Sequence, residues 1–172
     1  GEHRDTVGMV QIKNKETGTC IMKYALIGCG RISANHIKAA KDNGLEITAV
    51  CDILPGNMEQ VLEKNGIGMD TRIKRYSSYK EMVAMEHPDL VSIATESGLH
   101  AGIACYCIEQ GINVIIEKPI AMSLKDADML IELSEKYNVK VCACHQNRFN
   151  IAVQKTREAL EQGRFGKISH GS

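Results

Sequence analysis

The residues of this chain that can do chemistry stand at the ends of apolar runs. Gly28 and Gly30 follow the run at positions 24–27, and Asp52 ends a second run 22 residues after Gly30. Glycine can adopt the backbone angles of a tight turn, and its missing side chain lets a phosphate approach a helix N-terminus. A carboxylate at the end of the second run can accept both ribose hydroxyls and repels a 2′-phosphate. The spacing predicts a dinucleotide site that favours NAD over NADP.

The segment that contains these residues predicts the unit that positions them. Positions 23–52 have the pattern of a strand, a glycine turn, a helix with Ile37 on its apolar side, and a second strand that ends in an acid. That is the layout of a dinucleotide-binding βαβ unit. Ser33 stands where the fingerprint has its third glycine. The alternative is an ordinary strand-to-helix turn followed by a solvated Asp52.

The rest of the chain continues the alternation of strands and helices. Further strands are predicted near Ile73 and at 90–95, 112–116 and 139–144, and helices at 55–64, 79–85, 99–110, 123–137 and 151–161. Strands separated by helices favour an α/β fold with a doubly wound parallel sheet of the Rossmann type.

Several strands of the predicted sheet end in polar residues. Thr95 follows the fourth strand, Glu117 and Lys118 follow the fifth, and Arg148 lies just after the sixth. In an open parallel sheet, ligands bind outside the carboxyl ends of the strands. The pattern therefore predicts one shared crevice, although ordinary polar loops can produce the same composition.

Composition narrows the class of protein. The 172 residues carry no net charge, no Trp and only two Phe, which argues against a nucleic-acid surface. Apolar runs fall far short of the roughly 20 residues that a membrane span needs. The seven cysteines are an odd number and are scattered, and no four potential ligands have metal-site spacing. We expect reduced thiols, no metal, no membrane or nucleic-acid partner, and a cytoplasmic location.

Four short motifs carry a family resemblance. These are Gly28-Cys29-Gly30-Arg31-Ile32 with His36, the loop from Thr95 to His100, Glu117-Lys118-Pro119, and Asn147-Arg148-Phe149. In this order, over residues 23–170, they resemble the Gfo/Idh/MocA oxidoreductases. Within that family the chain is most similar to the UDP-N-acetyl-glucosaminuronate 3-dehydrogenases of surface-polysaccharide synthesis. Glu96 departs from the pattern, since the family usually has Pro there.

The resemblance implies roles for individual residues. Lys118 would be the catalytic lysine, which contacts the substrate hydroxyl beside the nicotinamide and shares its proton as hydride leaves. The alternative is a surface lysine paired with Glu117. His100 would order the cofactor loop or simply begin a helix, and His36 is expected to be structural. Arg148 would neutralise cofactor or substrate charge, or cap the next helix. The full set expected to bind the cofactor is Gly28, Cys29, Gly30, Arg31, Ile32, Asp52, Thr95, His100, Glu117, Lys118 and Arg148.

The resemblance also implies a domain organisation. Members of the family are about twice this length and carry a second α/β domain that binds substrate. We therefore expect a flexible leader at 1–22, an NAD-binding Rossmann domain at 23–149, and a linker helix with the start of a truncated substrate domain at 150–172. We expect such a fragment to bind NAD but to be inactive alone, and the full-length protein to form a homo-oligomer.

Three functions follow from these observations. The first is the NAD domain of an enzyme that oxidises C3 of UDP-N-acetyl-glucosaminuronate. The second keeps the dehydrogenase chemistry with a free sugar, an inositol or a sugar acid as substrate. The third is a dinucleotide-sensing regulator without turnover. A methyltransferase domain that binds S-adenosylmethionine would share the glycine turn but gives no reason for Glu117-Lys118-Pro119.

Overall fold

A computed structural model describes residues 21–145 and 150–166. Most of the predicted leader and Arg148 lie outside these ranges. The strands are β1 (Lys23–Ile27), β2 (Glu46–Cys51), β3 (Lys74–Tyr76), β4 (Leu90–Ile93), β5 (Asn113–Ile116) and β6 (Val141–Ala143). The helices are α1 (Ser33–Asp42), α2 (Pro55–Lys64), α3 (Tyr79–Glu86), α4 (His100–Glu109), α5 (Leu124–Tyr137) and α6 (Ile151–Glu161), with a short 3-10 turn at Ser97–Leu99 before α4. In the described ranges, no helix combines the length and the apolar character needed to cross a membrane.

The six strands form one sheet in the order β3-β2-β1-β4-β5-β6, and every neighbouring pair is parallel. This confirms the predicted doubly wound Rossmann topology. The chain builds outward from β1 in one direction as far as β3, and then returns to place β4 on the other side of β1. The strand order therefore reverses between β1 and β4, which is where such sheets open a crevice for ligands.

The sheet is covered on both faces, and β1 shows this residue by residue. Tyr24 and Leu26 pack with Ile37 of α1 and Leu62 of α2 on one face. Ala25 and Ile27 pack on the other face, in a cluster with buried residues of α3, α4 and α5. Side chains alternate between the two faces of a strand, so a strand buried on both sides is a continuous apolar run.

Local chemistry sets the helix ends. Pro55 begins α2, where its fixed φ and missing N–H cost nothing. Ser123 caps α5: its hydroxyl oxygen accepts from the Asp126 N–H at 3.1 Å, and its O–H donates to the Asp126 carboxylate at 2.8 Å. Asp126 thus contacts the cap hydroxyl, whereas the Glu of a usual capping box accepts from the backbone N–H of the cap residue.

Gly28 carries the tightest constraint in the sheet. Its φ of +89° is a conformation that L side chains rarely adopt. A Cβ built on Gly28 would lie 2.5 Å from the carbonyl carbon of Ala94 and 2.6 Å from the Thr95 nitrogen. Both neighbours are backbone atoms that cannot rotate away. The residue after β1 must therefore be glycine for two independent reasons.

A pair of substitutions separates these reasons. Gly66, which follows α2, has a φ of +69° but no atom within 4 Å of a built Cβ. We expect Gly66→Ala to lower the free energy of unfolding by about 1 kcal/mol, the cost of the backbone conformation alone. Gly28→Ala should cost at least about 2 kcal/mol more, because β1 and β4 must separate. Urea denaturation of the two variants measures the difference, and equal costs would contradict the close approach.

Candidate functional site

A cavity of about 780 Å³ opens at the carboxyl ends of β1, β2 and β4. That volume falls within the roughly 300–1,000 Å³ of small-molecule sites. Four of the predicted cofactor residues line it: Gly28, Gly30, Asp52 and Thr95. The rest of its lining is Ile27, Cys51, Ile53, Leu54, Asn57, Ser77, Ser78, Tyr79, Ala94, Glu96, Gly98, Leu99, Gly102 and Ile103.

The glycine turn leads into the N-terminus of α1 beside this cavity. Gly30 is exposed, and a Cβ built on it would meet nothing within 4 Å, so the space above the turn is open. Helix α1 has no side-chain cap and no acidic residue in its first turn. The N–H groups of Ser33 and Asn35 in its first turn donate to the carbonyl oxygens of Gly30 and Ile32 at 3.2 and 3.0 Å. The helix dipole still favours negative charge beside the glycine turn. Ser33 is fully buried and donates its hydroxyl to the Gly30 carbonyl, so it fits beneath the turn.

Asp52 is half-buried at the rim, and its carboxylate is held by protein donors. Oδ2 accepts from the Cys29 N–H at 2.7 Å, and Oδ1 accepts from the Leu54 N–H at 2.8 Å and the Asn57 amide at 3.3 Å. A carboxylate has about four acceptor positions, so about one remains for an incoming hydroxyl. The expectation that Asp52 accepts both ribose hydroxyls therefore becomes one hydroxyl as long as Asn57 stays bound.

The buried thiols of Cys29 and Cys51 lie near Asp52. Burial, reinforced by the nearby charge of Asp52, raises the pKa of both Cys29 and Cys51 to about 12. Both remain neutral at physiological pH, and a neutral thiol is a poor nucleophile. Cys29 belongs to the predicted cofactor set, but its N–H already donates to Asp52 and its side chain faces the core. Its contribution is to fix the carboxylate.

Glu117 and Lys118 follow β5, outside the cavity lining. Glu117 is buried, and its Oε1 lies 2.8 Å from Nε2 of His36 on α1. Its Oε2 accepts the Lys118 N–H at 3.3 Å, while the Lys118 side chain is exposed. Glu117 is thus joined to His36 inside the protein, and the alternative of a surface Glu117–Lys118 ion pair is wrong. The peptide bond between Lys118 and Pro119 is cis.

The pKa of Glu117 reflects this pairing. Burial alone would raise it, since a carboxylate loses its hydration. The hydrogen bond and charge of His36, with smaller contributions from the Lys118 N–H and the Cys144 thiol, outweigh burial and hold the pKa below its ordinary value. Glu117 is therefore an anion at neutral pH.

His100 begins α4 and is almost completely buried. Nε2 lies 3.0 Å from the Thr95 carbonyl oxygen and Nδ1 lies 2.8 Å from that of Pro119. A neutral imidazole has one N–H and donates to one of these oxygens at a time. His100 joins the loop after β4 to the loop after β5, which favours loop ordering over an ordinary first-turn residue. Arg31 is exposed and Ile32 half-buried at the start of α1, and neither lines the cavity.

One group of side chains has the composition of a metal site. Ligand atoms of His36, Glu117 and Cys144 lie within 4.8 Å of one another. These atoms already bond to each other: His36 to Glu117 at 2.8 Å, and Cys144 to the same carboxylate. Among the described residues, no fully buried side-chain nitrogen or oxygen of this group lacks a hydrogen-bond partner. The expected absence of a metal stays a prediction.

Part of the cavity lining was not predicted from the sequence. Leu54, Tyr79, Leu99 and Ile103 supply apolar surface to it, and Asn57 donates to Asp52. Asn57 had a signal in the sequence: the helix predicted from Pro55 places it in the first turn, next to the strand that ends in Asp52. The other four come from four separate segments, which are the residue before α2, helix α3, the 3-10 turn and helix α4. No local pattern connects them.

Comparisons with known proteins agree with this geometry. Residues 22–145 match the model of the oxidoreductase family with an NAD-binding Rossmann fold, GFO_IDH_MocA. The chain is 32% identical to D-apiose dehydrogenase of Paraburkholderia graminis, over 84% of this chain and 37% of that protein. It is 28% identical to myo-inositol 2-dehydrogenase of Thermotoga maritima, over 85% of this chain and 42% of that protein.

A solved structure shows the same fold. The WlbA dehydrogenase of Bordetella pertussis, in complex with NADH and UDP-GlcNAcA, superposes with a TM-score of 0.74 at 32% identity. The match covers 87% of this chain and 44% of that one. The chain thus spans less than half the length of these relatives. With its parallel sheet, open glycine turn and strand-end acid, it belongs to the Gfo/Idh/MocA oxidoreductase family and is an NAD-binding Rossmann domain of that family.

Proposed function

We propose that the chain is the cofactor domain of an NAD-dependent dehydrogenase that oxidises a hydroxyl of a sugar or sugar-like substrate. One observation carries the proposal: the open glycine turn at the uncapped N-terminus of α1 and the Asp52 carboxylate line the same cavity. A dinucleotide offers a pyrophosphate to the first and a ribose to the second. The pyrophosphate binds beside the glycine turn, where the dipole of α1 favours its charge and Gly30 leaves room for its approach.

The adenosine half of NAD fits against the apolar part of the cavity lining. Asp52 accepts one ribose hydroxyl at its remaining acceptor position, and Leu54 and Leu99 offer exposed apolar surface to the base. Their exposures of 58% and 54% are high for leucines, and a bound ring would cover them. A 2′-phosphate would meet the fixed negative charge of Asp52, which favours NAD.

Lys118 acts at the nicotinamide end of the cofactor, where the hydride is transferred. NAD, when bound, accepts a hydride from the carbon that carries the substrate hydroxyl. The hydroxyl proton must be taken up or strongly hydrogen-bonded as that hydride leaves, and a lysine ammonium–amine couple can share it. Thr95 and His100 connect the cavity to the segment that holds Lys118, because the imidazole contacts both the Thr95 and Pro119 carbonyl oxygens. Arg31 is free to approach the pyrophosphate from the surface.

For the substrate we propose C3 of UDP-N-acetyl-glucosaminuronate. Support comes from the motifs that resemble those dehydrogenases and from the Bordetella pertussis structure, which contains UDP-GlcNAcA. The inositol and apiose dehydrogenases among the relatives favour a second candidate, a free sugar or inositol. A regulator without turnover is the third. We further propose a cytoplasmic protein that is a homo-oligomer at full length; the six cysteines in the described residues form no disulfide with one another.

The cofactor assignment is tested by calorimetric titration with NAD and NADP. We expect NAD to bind at least about tenfold more tightly, a difference of about 1.4 kcal/mol. Asp52→Ala should weaken NAD by about tenfold and abolish the preference, since a hydrogen bond to a charged group contributes about 1.5–3 kcal/mol. Asp128→Ala removes an exposed carboxylate of α5 and should leave both affinities unchanged.

Two results would contradict this assignment. Equal affinity for NAD and NADP would remove Asp52 from the ribose site. Failure of both to bind a folded protein would remove the cavity as the cofactor site.

The substrate is tested by NADH fluorescence with the full-length enzyme, supplied in turn with UDP-N-acetyl-glucosaminuronate, myo-inositol and D-apiose. We expect NADH from the sugar nucleotide only, and loss of at least about a hundredfold in turnover with Lys118→Ala, within the range of a missing proton-transfer group. Lys125→Ala, on the exposed face of α5, is the matched control. NADH from inositol or apiose alone would select the second candidate, and none with any substrate would favour the regulator.

A further inference from the structure

We propose that His36 is a positioning residue for Lys118, and that the pair it forms with Glu117 joins the glycine-turn helix to the catalytic lysine as one unit. The proposal rests on the proposed role of Lys118. It gives a function to a histidine that the sequence suggested was only structural.

The contacts run in an unbroken series from α1 to the lysine. His36 lies on the buried face of α1, one turn after Ser33, with 9% of its surface exposed. Its Nε2 contacts Glu117 Oε1 at 2.8 Å, and Glu117 Oε2 accepts the Lys118 N–H at 3.3 Å. A single carboxylate, 7% exposed, thus has one oxygen on the cofactor helix and the other on the lysine backbone.

The two residues beside Lys118 are both held by buried histidines. Before it, Glu117 is held by His36; after it, the Pro119 carbonyl lies 2.8 Å from His100 Nδ1. The side chains of Lys118 and its neighbour Pro119 are exposed, and an exposed loop orders poorly without such contacts. Because the backbone is fixed on each side, the position of the Lys118 amine changes mainly through rotation about its side-chain bonds.

Packing alone does not explain a hydrogen-bonded polar pair at this place. The Glu117 N–H already donates to the Ile93 carbonyl at 2.9 Å, so the backbone is anchored to β4 without the side chain. A buried carboxylate is expensive unless it is paired. What the pair adds is a defined orientation of the carboxylate, and with it an acceptor for the Lys118 N–H.

The same geometry couples cofactor binding to the lysine. The pyrophosphate is proposed to bind at the N-terminus of α1, and His36 is on the first turns of that helix. Any displacement of α1 on binding moves the His36 ring, and the Glu117 carboxylate transmits it to the Lys118 amide. Coupling of this kind requires a physical connection with a measurable response.

The amide signal of Lys118 in ¹H–¹⁵N NMR spectra tests the proposal. In the wild-type chain we expect it to shift on NAD addition. His36→Leu removes the ring nitrogens at similar size, so the Lys118 amide proton should move upfield in the free protein and lose its response to NAD. His36→Gln keeps a side-chain N–H that can reach Glu117 and should restore both. Ile37→Ala, which opens a cavity on the same helix without contacting Glu117, should leave the Lys118 signal near its wild-type position.

Three results would overturn the proposal: an unchanged Lys118 signal in His36→Leu, a His36→Gln variant that behaves like His36→Leu, or an equal shift in Ile37→Ala. If His36→Leu does not fold, Glu117→Gln takes its place. Its weaker amide acceptor should move the Lys118 proton upfield, and no movement would refute the connection. If NAD perturbs no amide of the wild type, the proposed function fails, while the spectra of the free variants still decide the role of His36.

Discussion

The approach of Gly28 to the end of β4 is the constraint on which the site depends. The strand order reverses between β1 and β4, so the segments that follow these two strands diverge. The glycine turn after β1 passes the Ala94–Thr95 backbone at a distance that leaves no room for a Cβ. This passage aims the N-terminus of α1 across the crevice. It also brings the Cys29 N–H to the Asp52 carboxylate at 2.7 Å, and so links β1, β2 and β4 at one edge.

Two carboxylates beside this crevice have opposite uses, and their environments explain why. Asp52 is half-buried, bound by three protein donors, and keeps about one acceptor position toward the cavity. Glu117 is buried and directs both oxygens to the protein, to His36 and to the Lys118 N–H. The first is suited to recognise a ligand hydroxyl. The second is suited to hold other groups in place, since it is buried and both of its oxygens have partners within the protein.

The sequence predicted the features that depend on local pattern. The hydrophobic periodicity, with Pro, Gly and Asn at the ends of the segments, predicted all six α-helices of the described residues. Helix α2 runs from Pro55 to Lys64, as predicted, because a proline in the first turn marks a helix start. Features that depend on distant residues were not predictable. His36 and Glu117 are 81 positions apart, and nothing near either residue indicates the other. The sequence predicted that Gly28 adopts the backbone angles of a tight turn. Its close approach to Ala94 could not be predicted, because that contact depends on the order of the strands in the sheet.

NAD is proposed to bind at the carboxyl ends of the strands, between β1 and β4. Mapping of ¹H–¹⁵N chemical shifts during an NAD titration tests it most directly, because each amide reports its own surroundings. We expect the largest shifts at Gly28, Gly30, Asp52 and Thr95, with little change along the exposed face of α5. Shifts concentrated at the opposite edge of the sheet, or spread evenly over the domain, would contradict it.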